Sequence, residues 1–116
     1  MKHFAVSNST AMIDTAVTVI HLKGDLDTVS TPILESHLKE ILGKKRFKIV
    51  LDMKNLVYIS SAGFAMIMVY AKETQKNKGD IKIAEASPDV YHLFELLEIH
   101  YFLKIFKTVN EAVRAF

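Results

Sequence analysis

The chain contains no cysteine among its 116 residues, which excludes a disulfide framework and any cysteine-ligated metal or redox centre. Glycine is scarce: only Gly24, Gly43, Gly63 and Gly79 occur, and no two lie near each other. Loops that cradle nucleotide phosphates need closely spaced glycines, so the P-loop and dinucleotide fingerprints are absent. No apolar run approaches the roughly 20 residues of a membrane-spanning helix. The start, Met1-Lys2-His3-Phe4-Ala5-Val6-Ser7, lacks the apolar stretch of a secretory signal. These absences predict a cytoplasmic protein with no insertion into a membrane.

A large excess of charge of one sign is missing as well. The formal net charge is +2, and the one dense basic cluster is Lys44-Lys45-Arg46 with Lys48. It follows Gly43 at a predicted helix end, where cations complement the negative end of the helix dipole. Aromatic residues do not interleave with it, so no nucleic-acid partner is predicted.

What is present is an ordinary globular composition, half hydrophobic and about a quarter charged. The length fits one domain over 1–116 with room for a proper core. Its first dozen residues, about 1–12, are read as an edge strand or a loose terminus. Residues 16–23 are rich in β-branched side chains and read as a strand, followed by a turn at Gly24-Asp25-Leu26-Asp27. Val29, Ile33, Leu34, Leu38, Ile41 and Leu42 recur at helical spacing, with Pro32 in the first turn and Gly43 at the end. A second strand at 47–52 is apolar on both faces, the pattern of a strand covered on two sides. A helix runs from Ser61 to about Asn77, then comes a strand at 81–84 and a helix opened by Pro88. A short edge strand is predicted within 102–106. Thr108-Val109-Asn110-Glu111 is a capping box for a last helix. Strands alternate with helices, so the class is α/β with a largely parallel or mixed sheet.

Catalytic and metal chemistry find no foothold in this pattern. Ser61 lacks the glycine that opens a hydrolase elbow, since Ile59 stands there. His3, His21, His37, His92 and His100 are scattered through different elements, and their spacing suggests neither a triad nor a metal site. No enzyme activity, metal or cofactor is predicted. The run Tyr58-Ile59-Ser60-Ser61-Ala62-Gly63-Phe64 carries more information. It places small hydroxyl residues at the start of a helix, where a side-chain oxygen can cap the backbone and the dipole favours an anion. A phosphate on serine is tolerated there. Asp27 ends the turn after one strand and is read both as a cap and as a site residue. Asp52 is read at the carboxyl end of another strand, so both aspartates are placed near Ser61 on the sheet edge where α/β domains build their sites. Asp25 is an exposed turn residue available to a partner. The helix after Ser61 has two stripes, Phe64, Ile67, Met68 and Ala71 against Ala62, Ala65, Met66, Val69 and Glu73. One must face the sheet. The second, if uncovered, is an apolar patch for a partner.

The Gly24-Asp25-Leu26-Asp27 turn, the Val50-Leu51-Asp52 strand and Tyr58-Ile59-Ser60-Ser61-Ala62-Gly63 together resemble the STAS domain of anti-sigma factor antagonists. Leu93-Phe94-Glu95-Leu96-Leu97, Phe102 to Phe106 and Val109-Asn110-Glu111-Ala112 extend the resemblance to the C-terminus. It implies a single STAS-like domain, a mixed sheet of about four to five strands with about four helices mainly on one face. It further implies a phosphorylation-switched domain that binds an anti-sigma factor, itself a serine kinase of the histidine-kinase-like ATPase superfamily, and so frees a sigma factor for transcription. A serine phosphatase would reset the switch. Ser61 matches the acceptor, with Ser60 the second candidate, and Asp27, Asp52 and Gly63 would support the site. Ser60 stands where well-known members have aspartate. Two other roles fit the same residues: a STAS scaffold in a stress-signalling or lipid-transport complex, and a small-ligand sensor.

Overall fold

The computed structural model describes residues 2–116. The elements run β1 (Ala5–Thr10), β2 (Val17–Leu26), α1 (Thr31–Gly43), β3 (Lys48–Ile59), α2 (Ser61–Lys76), β4 (Asp80–Ala84), α3 (Pro88–Leu96), a 3-10 turn (Ile99–Tyr101), β5 (Ile105–Phe106) and α4 (Val109–Arg114). The five strands form one sheet in the order β1-β2-β3-β4-β5. β1 is antiparallel to β2 and every later neighbour pair is parallel, so the sheet is mixed. β1, Ala5–Thr10, lies at one edge of this sheet.

The apolar runs of the central strands are explained by two cores, one on each face. Ile20, Leu22, Ile49, Leu51, Ile81 and Ile83 point into the larger core beneath α1, α2 and α3. Their alternating neighbours Val17, Val19, Val50 and Ala84 point into a smaller core closed by Ala112 and Val113 of α4. Three helices thus cover one face and a short one covers part of the other. Lys82 shares the smaller core at 3% exposure. Its ammonium sits 3.3 Å from Asp80 Oδ2 and 4.7 Å from the Phe116 ring centroid, so ion pairing and an aromatic face offset its desolvation.

Helix starts follow the chain-local signals. Thr108 Oγ1 accepts the Glu111 N–H at 3.1 Å, and Ser87 Oγ accepts that of Val90 at 3.2 Å ahead of Pro88. Two strand ends differ from expectation. β2 continues through Gly24 and Asp25 to Leu26, and β3 runs past Asp52 to Ile59. The added stretch contains a pair of bulges. β3 carries one extra residue against His21–Lys23 and another against Gly24–Asp25. Each extra residue shifts the phase of the side chains, so Met53, Leu56 and Ile59 face the core at a spacing that no period of two predicts. Gly24 serves this irregularity rather than a turn. Its φ is +86°, and a Cβ there would lie 2.0 Å from the His3 carbonyl oxygen, where Lys2 and His3 lie close against the strand.

One side-chain bond ties the two long helices. The Tyr70 hydroxyl donates to Glu35 Oε2 at 2.9 Å. Burial first, and then Glu35, push the Tyr70 phenol up to about 12. Because the folded-state value is raised, this stabilisation is complete below the ordinary phenol value of 10.0 and is lost as pH climbs through about 12. Glu35→Gln is expected to bring the Tyr70 titration part of the way back toward 10.0, read by ultraviolet difference titration. An unmoved titration would remove Glu35 as a cause.

Candidate functional site

The carboxyl ends of β2 and β3 lie side by side, with Leu26 opposite Ile59. The Ser60 N–H donates to the Leu26 carbonyl at 2.8 Å. That bond brings together the two segments that follow these strands, one beginning at Asp27 and the other at Ser61. Gly63 makes the junction tight: a Cβ there would be 3.1 Å from the Leu26 side chain and 3.3 Å from that of Ile59. The start of α2 therefore rests directly on the strand ends.

The two adjacent serines divide the work. Ser60 is the cap: its backbone is extended, and its Oγ accepts the Gly63 N–H at 3.1 Å. Ser61 is the first helical residue, exposed, and no side-chain hydrogen bond engages it among the described residues. Its hydroxyl stands at the positive end of a helix of 16 residues with no acidic side chain in its first turn. This division has a stability consequence. Ser60→Ala is expected to cost about 1 kcal/mol in urea unfolding, the usual value of a lost serine cap, whereas Ser61→Ala leaves stability within about 0.5 kcal/mol, as is usual for an exposed side chain without partners. The reverse order of effects would exchange their roles.

Asp27 closes the turn that leads into α1 and does not cap the helix itself, whose N-cap is Ser30. Its Oδ1 accepts the Val29 N–H at 3.0 Å, the Ser30 N–H at 2.9 Å and the Ser30 hydroxyl at 3.0 Å. The Ser30 N–H is the chief cause that holds the Asp27 carboxyl below the usual carboxylate range, outweighing the loss of water around it. The depressed value makes this a contribution present above the ordinary value of 3.8 and lost as pH falls through the lowered one. Asp25 is half-buried at the end of β2 rather than an exposed turn residue. Its Oδ2 accepts the Lys2 N–H at 3.0 Å, while Oδ1 is buried without a partner. Asp25 and Asp27 line an open cavity of about 160 Å³ with Phe4, Val29 and Ile33.

Two site residues fall elsewhere than the sequence suggests. Asp52 does not support the serine. β3 extends seven residues beyond it, to Ile59, and with two of these taken up by bulges the strand advances by the five β2 residues from His21 to Leu26, roughly 17 Å at ~3.3 Å per residue. It pairs instead with His21 of β2, Nδ1 to Oδ2 at 2.7 Å. Met66 does not belong to the exposed stripe of α2: it is 8% exposed and packs in the larger core with Phe64, Ile67 and Ala71. α2 buries a broad face, and Met66 lies on its margin. The uncovered stripe is Ala62, Ala65 and Val69, the last 65% exposed. Sequence periodicity also missed two apolar residues beside Asp27. Val29 is 79% exposed and Ile33 is exposed too, although both were expected on the buried face of α1. Val29 precedes the helix, where helical spacing carries no meaning, and Ile33 lies beside the Leu34–Leu38–Ile41 stripe that reaches the sheet.

This geometry defines a class: a small mixed-sheet α/β domain whose parallel strands end beneath a helix tip that presents a free serine beside uncovered apolar side chains. The chain belongs to the STAS domain family, whose model matches residues 9–112. Over 89 residues it is 34% identical to BtrV of Bordetella bronchiseptica, named as an anti-sigma factor antagonist, covering 77% of this chain and 74% of that protein. A crystal structure of an anti-sigma factor antagonist from Thermotoga maritima superposes with a TM-score of 0.84 at 18% identity, covering 94% of this chain and 92% of that one. The anti-sigma factor antagonist SpoIIAA in its unphosphorylated form superposes at 0.74, with 18% identity and coverage of 92% and 93%. SpoIIAA of Bacillus in its phosphorylated form superposes at 0.67, with 17% identity and coverage of 94% and 98%. No helix among the described residues is long and apolar enough to cross a membrane.

Proposed function

We propose that this protein is an anti-sigma factor antagonist whose grip on an anti-sigma factor is switched off by phosphorylation of Ser61. The observation that carries the reading is the free Ser61 hydroxyl at the tip of α2, released from capping because Ser60 takes that duty. The name of the Bordetella relative supports the partner class, and the existence of a fold neighbour in phosphorylated and unphosphorylated forms supports the modification.

The partner is an anti-sigma factor that is also a serine kinase of the histidine-kinase-like ATPase superfamily. It grips Ala62, Ala65 and Val69 of α2 together with Asp25 and the apolar pair Val29 and Ile33. Binding draws the anti-sigma factor away from its sigma factor in the cytoplasm, which permits transcription. The chain itself is not an enzyme and needs no cofactor. The phosphoryl transfer belongs to the kinase and its metal-bound nucleotide. The phosphate brings nearly two negative charges. Within the domain the α2 dipole and the Gly63-tightened first turn tolerate them. At a packed interface they must be desolvated, and the complex separates. A serine phosphatase then restores the binding form. Incubation with ATP and the candidate kinase, followed by peptide mass spectrometry, should find one phosphate at Ser61. Phosphate at Ser60 instead, or an unmodified protein still bound to the kinase, overturns the reading.

A further inference from the structure

Three polar side chains on three adjacent strands form a continuous chain of hydrogen bonds far from Ser61 in the sequence. Ser9 on β1 stands opposite Val19 and so shares the sheet face of α4. His21 follows two residues after Val19 on β2, and Asp52 is its register partner on β3. Ser9 Oγ lies 3.0 Å from His21 Nε2, and His21 Nδ1 lies 2.7 Å from Asp52 Oδ2. Asp52 is pinned from a second side, since its Oδ1 accepts the Lys54 N–H at 3.1 Å. The carboxylate end is the sheltered one: the Asp52 side chain is 15% exposed, that of His21 44%, and Ser9 is open to solvent.

We propose that Ser9 is a base-activated nucleophile, a second covalent modification site whose substrates are small activated acyl donors. A carboxylate can only accept, so the proton of a neutral His21 ring resides on Nδ1 and the lone pair of Nε2 faces the Ser9 hydroxyl. That is the order of groups by which a serine is activated and its base oriented. The open edge of the sheet supplies a donor for the developing oxyanion. The Ala11 N–H donates to Val17 at 3.0 Å. By the alternation of an antiparallel ladder, the Ser9 N–H then points inward and the Thr10 N–H points out from the edge strand. The N–H of the residue after the nucleophile is the one that hydrolase elbows use. In the step itself, Ser9 Oγ attacks the acyl carbon and its proton passes to His21 Nε2. The bond from the acyl carbon to the leaving oxygen breaks, and the leaving group takes that electron pair and then the proton from His21. The ester on Ser9 is the product.

A plain cross-strand tether would show the same distances but no special reactivity, and p-nitrophenyl acetate distinguishes the two. On the intact protein, a hydroxylamine-labile acetyl ester should form at Ser9 about 100-fold faster than at the exposed Ser7 and Ser36, the scale of general-base assistance. Ser9→Ala abolishes it. His21→Gln and Asp52→Asn reduce it to the rate of the other serines, and Asp52→Glu restores part of it. A downfield proton resonance of His21 Nδ1–H is expected in the parent protein and should disappear in Asp52→Asn. Absence of a Ser9 adduct, a Ser9 rate equal to that of Ser7 and Ser36, or indifference to His21→Gln overturns the proposal. None of these readouts involves the kinase, so the outcome is independent of the role of Ser61.

Discussion

Ser61→Asp is expected to weaken binding to the anti-sigma factor about 100-fold, while Ser61→Ala binds within about threefold of the parent protein. An unwanted like charge at an interface costs several kcal/mol, and ~3 kcal/mol corresponds to roughly 150-fold in affinity. Aspartate carries one charge where phosphoserine carries nearly two, so the phosphorylated protein should bind more weakly still. The same substitution should leave the domain intact or slightly more stable, because a carboxylate at the first turn of α2 meets the positive end of the helix dipole, worth ~0.3–1 kcal/mol. Calorimetric titration for affinity and thermal unfolding for stability, on the same samples, separate the charge effect from damage to the fold. A partly buried charge is screened less than an exposed one, so raising the salt concentration should only partly restore binding. Equal affinity of the two variants would refute the electrostatic release.

Phe94→Ala should produce the largest loss of stability. Phe94 is fully buried on α3, and its ring meets that of Phe64 edge-on at 4.9 Å and 64°. Deleting a buried phenylalanine costs ~3–5 kcal/mol from lost transfer energy and the cavity left behind. Against a total of ~5–15 kcal/mol for a domain this is a large share, and at ~4 °C per kcal/mol the melting temperature should fall by ~12–20 °C. Phe64 lies in the first turn of α2, three residues beyond Ser61, so the same cavity opens beneath the helix tip. Ser61→Ala touches none of this packing, which makes the pair a control on each other. A loss below ~1 kcal/mol in urea unfolding would show that the site collapses around the gap, contrary to a close-packed junction of α2 and α3.

Both predictions rest on features of different legibility. The tip of α2 was readable because everything that builds it is local: two serines, a glycine two residues after Ser61, and an apolar helix beyond. Which serine caps was not readable, since either hydroxyl satisfies the pattern and the choice depends on where β3 ends. That end was misplaced at Asp52, short of the two bulges against β2, and Asp52 was carried to the wrong edge with it. Bulges are invisible to a test of alternation because they break the period on which the test relies. The wide buried face of α2, which takes in Met66 and leaves Ala62, Ala65 and Val69 outside, is set by how α1 and α3 flank that helix rather than by its own spacing.

The sequence by itself determined the α/β alternation, the helix openings at Pro88 and Thr108, and the pair of serines at the head of α2. Caps, turns and amphipathic periods are interactions between residues a few positions apart, so they are written in the order of the chain. Only the tertiary structure decided the register of β2 on β3, the pairing of His21 with Asp52, the reach of Ser9 into that pair and the exposure of Val29 and Ile33. Those contacts join residues tens of positions apart. Their geometry follows from strand order, bulges and the two cores acting together, which no local spacing encodes.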